Sequence, residues 1–157
     1  MTGTGETLFS PGGKMARGML VTVLHRMLRF VEVQNGNVFT DVGNGDYCAA
    51  VCGGTQTGIV NGYRNTSFGP RNFVTREQIA VLPYRYAEHM GASTTFSGGT
   101  DLSAFADGDE GSSYTEEAVL WTVDNGLLTG YENGRLSPKG LATRAEVATI
   151  LMRFIEG

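Results

Sequence analysis

Apolar residues recur along this chain at fixed distances from three arginines. After Arg17 they fall at plus 3, 6, 7 and 10, as Leu20, Val23, Leu24 and Met27, and after Arg144 as Val147, Ile150, Leu151 and Phe154. That spacing paints one stripe on a helix, so each arginine is predicted to open an amphipathic helix of about four turns. The stretch after Arg76 repeats the stripe with Ile79, Leu82 and Tyr86 but carries Pro83 within it, which predicts a kink or a weakened helix. A second arginine follows each first one at plus 9, as Arg26, Arg85 and Arg153.

The helices belong to a longer repeat. Phe9-Ser-Pro11, Phe68-Gly-Pro70 and Leu136-Ser-Pro138 each lie six residues before the motif arginine. Two matching loops precede them, NGYRNTSFGP and TGYENGRLSP, in which Gly62-Tyr63 and Gly130-Tyr131 correspond and the glycines suit positive-φ turns. Further upstream come Phe39-Thr-Asp41 and Phe105-Ala-Asp107, then short helical stretches over 46–57 and 113–125 that stop at Gly58 and Gly126. The first copy starts at Gly3, the counterpart of Gly62 and Gly130, and therefore lacks its Phe-x-Asp segment and first helix. The chain thus reads as about two and a half units: a truncated repeat over 1–32, then full repeats over 37–91 and 103–157. Polar stretches at 31–38 and 91–102 read as linkers.

The fold class expected is all-α, a tandem array of helix-loop-helix units with at most very short β-like segments in the loops. Its 157 residues, 41% of them hydrophobic, suffice for one core shared along an array. The net charge of −4, with twelve basic residues dispersed, offers no electropositive face for nucleic acid. No apolar run reaches the roughly 18 residues a bilayer requires, and the opening MTGTGETLFSPGG lacks the charged and apolar regions of a signal peptide.

The residues before two of the long helices carry chemistry. Thr75-Arg76-Glu77-Gln78 and Thr143-Arg144-Ala145-Glu146 are S/T-x-x-E/Q capping boxes, with threonine as N-cap and arginine as first helical residue. A guanidinium beside the positive end of a helix favours an anion, and its planar fork suits a carboxylate. The plain alternative is a solvated arginine. The first copy, Met15-Ala16-Arg17-Gly18-Met19, has lost both the capping threonine and the acidic partner.

Taken together, the order Phe-x-Asp, short helix ending in Gly-Ile or Gly-Leu, Gly-Tyr loop, Phe-x-Pro and Thr-Arg-Ala-Glu resembles S-layer homology repeats. The third copy resembles them most, through Tyr114, Trp121, Gly126-Leu127, Gly130-Tyr131 and Ala142-Thr-Arg-Ala-Glu-Val147. The second copy departs, with Asp46 at the usual tryptophan position and Gly53-Gly54 where the third has Trp121-Thr122. The resemblance implies three units in a pseudo-threefold spindle, secreted to the bacterial cell wall or S-layer. Their grooves would bind anionic secondary cell-wall polysaccharide, often bearing a pyruvate ketal. The site residues it implies are Arg17, Arg76, Arg144, Asp41, Asp107, Gly62, Tyr63, Gly130, Tyr131 and Tyr114. A structural role, with arginines confined to inter-repeat salt bridges, is the alternative. Self-association through the incomplete first repeat is a further expectation.

Other signals lead away from chemistry. Cys48 and Cys52 have no histidine or further cysteine close by and read as small apolar fillers. Tyr63, Tyr131 and Tyr114 suit either a sugar platform or core packing, and His25 falls among packing positions. Asp107-Gly-Asp109-Glu110-Gly111 lacks the twelfth-position glutamate of a calcium loop, since that place is Ala118. No catalytic motif is present and no cofactor is implied.

Overall fold

The computed structural model describes residues 8–28, 39–43, 45, 47–95 and 98–157. The linker at 31–38, the alignment through Gly3 and the departure at Asp46 lie outside these residues. Among them the chain forms five α-helices: α1 (Arg17–Leu28), α2 (Cys48–Gln56), α3 (Arg76–His89), α4 (Glu116–Asp124) and α5 (Arg144–Glu156). Single turns of 3-10 helix at Leu102–Ala104, Gly108–Glu110 and Ser113–Thr115 lead into α4. Among the described residues extended pairing is limited to isolated bridges, such as Ala16 with Phe73, Thr75 with Leu141 and Lys14 with Thr143. The all-α expectation holds, and all three long helices start at the motif arginines.

Local chemistry sets the helix ends. Thr75 and Thr143 are N-caps in extended conformation, and both capping boxes close, Gln78 and Glu146 reaching back to the cap backbone while the threonine hydroxyl accepts from theirs. α2 and α4 stop just before Gly58 and Gly126, which adopt φ of 74° and 66°. α3 continues through Pro83 to His89.

The chain divides into two compact units. One is Met15–Phe73, in which α1 packs against α2 around Leu20, Leu24, Val51, Ile59 and Phe68. The other is Val74–Gly157 together with residues 8–14, in which α3 packs against α4 and α5. Its core includes Ile79, Val119, Leu128, Leu136, Val147 and Ile150. On α5 the predicted stripe is buried at Val147, Ile150 and Leu151 and half-buried at Phe154. On α3 only Ile79 of the stripe is fully buried, while Ala80, Val81 and Pro83 outside it are buried as well, because this helix is covered by both α4 and α5. Trp121 stands edge-on to Tyr84 at 5.9 Å between ring centroids, and Phe154 edge-on to Tyr86 at 5.7 Å.

A contact repeats at the start of each long helix. In the first unit the amides of Arg17 and Gly18 donate to the carbonyls of Asn72 and Pro70. In the second, Arg76 and Glu77 donate to Gly140 and Pro138, and Arg144 and Ala145 donate to Gly13 and Pro11. Every Phe/Leu-x-Pro loop therefore receives the first two amides of a long helix from another repeat. The middle residue of each loop is left-handed, with φ of 52° at Ser10, 70° at Gly69 and 52° at Ser137.

Candidate functional site

The docking just described uses the amides that an anion at the helix start would need. It also turns the motif arginines inward. Arg76 is 4% exposed and Arg144 1%, so neither stands open at its helix start as the capping-box reading anticipated. The Arg76 Nε donates to the Leu136 carbonyl at 2.9 Å, Nη2 to the Thr129 carbonyl at 2.6 Å and Nη1 to the Glu146 carboxylate at 2.6 Å. Its guanidinium lies 4.4 Å from the centroid of the Tyr131 ring. Arg144 donates through Nε to the Phe9 carbonyl at 3.0 Å and covers the Phe9 ring. Arg17 is half-buried, donates to the Asn61 carbonyl and lies over Tyr63 and Phe68. The structure thus brings Arg17 to Tyr63 and Arg76 to Tyr131, each arginine resting on the tyrosine of a Gly-Tyr loop.

The acids and glycines build those loops. Asp41 accepts from the amides of Phe68 and Gly69 and from the Ser67 hydroxyl, and the Phe68 bond foremost holds its carboxyl below the usual range. Asp107 is fully buried and accepts from the amides of Leu136 at 2.7 Å and Ser137 at 3.0 Å and from Arg135 Nε. Burial opposes its ionisation, yet those donors together hold its pKa low. Gly62 and Gly130 do not have the positive φ expected of them. They are needed for closeness: a Cβ on Gly62 would stand 2.3 Å from the Phe39 ring, and one on Gly130 2.4 Å from the Phe105 ring. The aromatic residue of Phe-x-Asp therefore packs on the glycine of Gly-Tyr.

Tyr114 lies apart from these clusters and is 64% exposed. It borders an open groove of about 450 Å³ with Tyr84, Arg85, Glu88, Glu116 and Glu117.

Beside Arg76 is a shallow depression of about 190 Å³, lined by Thr129, Glu146, Thr149, Ile150 and Arg153 among others. Arg153 is half-buried and reaches the carbonyls of Gly126 and Leu127 only at 3.3 Å, long for charge-assisted bonds. Two arginines and one glutamate line the depression, so the formal charge of its lining is positive. Glu146 stays ionised in it: burial raises its pKa, but the Tyr131 hydroxyl, Thr143 and Arg76 bring it down to about 2. Such a surface can take one further anionic group.

In the sequence Arg153 stands out only as a repeat position, and Glu77 and Lys139 do not stand out as site residues. Glu77 is buried at the start of α3, where it accepts from the Ser112 amide at 2.8 Å and hydroxyl at 3.0 Å, from Thr115, and from Lys139 Nζ at 3.0 Å. The available signal was a carboxylate where the other copies hold Gly18 and Ala145.

The profile of the S-layer homology domain matches residues 38–80 and 104–148, in the second and third copies. An exoglucanase, XynX, of Acetivibrio thermocellus is 26% identical over 98% of the chain, and an endoglucanase of Bacillus sp. (strain KSM-635) is 28% identical over 99%. A cellulosome-anchoring protein of Acetivibrio thermocellus (strain ATCC 27405) is 30% identical over 66%. The chain spans only 14%, 16% and 22% of the lengths of these three relatives.

Proposed function

The chain belongs to the S-layer homology domain family, and from that premise we propose that it is a non-catalytic cell-surface anchoring module that binds anionic secondary cell-wall polysaccharide. The observation that carries the glycan reading is the depression on α5, where Arg76 and Arg153 outnumber Glu146. An acidic substituent such as a pyruvate ketal would meet Arg153 from solvent, and Arg76 would add its charge from beneath. In this proposal Arg17, Arg144, Asp41, Asp107, Gly62, Gly130, Tyr63 and Tyr131 act by shaping the loops beside such depressions, and Tyr114 offers an exposed ring to a sugar face. The helix starts docked on proline loops of other repeats are consistent with a pseudo-threefold spindle, which we include in the proposal.

The relatives support the anchoring part, since one is named for anchoring and two are glycan-degrading enzymes of which this chain covers a small part. We extend that role to this chain. One observation favours a second reading: the Arg76–Glu146 ion pair at 2.6 Å is the inter-repeat salt bridge that a purely structural assembly module would use.

Co-sedimentation with Gram-positive wall sacculi separates the two. Polysaccharide binding predicts pelleting that disappears once the secondary polymer is removed chemically, and that Arg153→Ala weakens while circular dichroism shows the chain still folded. Pelleting indifferent to the polymer and to Arg153→Ala overturns the glycan reading in favour of assembly.

A further inference from the structure

The two cysteines share one face of α2. Cys48 begins the helix and is half-buried, Cys52 lies one turn on and is buried, and their Sγ atoms are 3.8 Å apart. Burial foremost raises the Cys52 pKa, with the Cys48 thiol adding to it, so this sulfur keeps its proton near neutral pH. A disulfide fits this arrangement poorly. Residues four apart on a helix have Cβ atoms about 5–6 Å apart, whereas a disulfide holds them at roughly 3.5–4.5 Å. One bridging atom fits better, because two sulfurs bonded at about 2.3 Å to a pyramidal trivalent centre stand about 3.5 Å apart, within a few tenths of an ångström of the 3.8 Å found here. A trivalent centre that already carries one carbon substituent is saturated by two sulfurs and needs no third ligand from the protein.

We propose that Cys48 and Cys52 form a chelating dithiol site for trivalent organoarsenic compounds. An arsenoxide, R–As=O, reacts with both thiols to give R–As(S–Cys)2 and one water. Two S–H bonds break and two As–S bonds form, the oxygen leaves with both protons, and arsenic stays trivalent, so no oxidant or reductant is required. Cys48, at the first turn with no side-chain cap from Tyr47, is the thiol reached first. Cys52 is followed by Gly53 and Gly54, whose weak helix propensity lets the backbone adjust as the second bond closes.

The test treats the whole chain with phenylarsine oxide at neutral pH and follows intact mass, free thiols and far-ultraviolet circular dichroism. The expected result is one phenylarsenic group per chain with both thiols consumed and helicity retained. The adduct should survive excess glutathione and be stripped by 2,3-dimercaptopropanol, the signature of two-point attachment. Cys48→Ser should lower retention about a hundredfold, since the second bond forms intramolecularly. Cys48→Ser removes the half-buried thiol, so it keeps the test valid if Cys52→Ser unfolds. Wild-type retention no greater than that of Cys48→Ser, or an adduct washed off by glutathione, overturns the proposal.

Discussion

Glu146 is joined to Arg76 by an ion pair of 2.6 Å while it closes the capping box of its own helix on Thr143. One side chain therefore fixes a local helix end and a contact seventy residues away. The two roles are separable, because the equivalent box on α3 is closed by Gln78. Glu146→Gln should keep the box and lose the charge, costing about 3 kcal/mol because a buried guanidinium is left with carbonyls alone. Glu146→Ala should cost about 1 kcal/mol more, the usual loss of a cap. Denaturant titration of the three proteins measures both differences.

The same carboxylate makes stability depend on acid. Its pKa falls from an ordinary 4.5 to about 2, so the stabilisation it gives is complete above pH 4.5 and is lost as pH drops toward 2. Asp107 and Glu77 are shifted in the same direction and deepen the loss. Urea midpoints measured from pH 6 down to pH 2 should decline, and Glu146→Gln should decline less steeply than wild type. Parallel curves would show that Glu146 does not contribute.

Asp41 and Asp107 hold corresponding loops but differ in exposure. Asp107 is 1% exposed, and its removal strands the amides of Leu136 and Ser137 inside the protein. Asp107→Ala should cost about 1–3 kcal/mol. Asp41 is solvent-exposed, so water can replace it at the Phe68 and Gly69 amides, and Asp41→Ala should cost less. Hydrogen exchange at the four amides distinguishes the cases.

Gly62→Ala and Gly130→Ala should each destabilise the protein by about 1–3 kcal/mol through overpacking against Phe39 and Phe105. Trimming the ring, as in Phe105→Leu, should recover part of the loss at Gly130, which thermal melts of the double variant would reveal. Simple additivity would indicate that the glycine and the ring are not coupled.

How far the sequence could be read follows from the range of each interaction. The capping boxes at Thr75 and Thr143 and the stops at Gly58 and Gly126 involve neighbours within a turn, and they appear where the spacing put them. The fate of Arg76 depends on the carbonyls of Thr129 and Leu136, fifty-three and sixty residues away, and a capping motif does not say whether its first side chain faces solvent or the interior. Gly62 and Gly130 were legible as invariant points of the repeat, but their reason, contact with an aromatic ring more than twenty residues upstream, was not. Arg153 was visible as a repeat position, although only the fold sets it beside Arg76.

The loop at Pro11 and Gly13 serves the first turn of α5, accepting from Ala145 and Arg144. Trimming the recombinant chain to begin at residue 15 would therefore injure its opposite extremity, leaving two peptide N–H groups near residue 144 without acceptors. Anyone dissecting the protein into single repeats should expect the pieces to cohere only when the cut preserves this early segment.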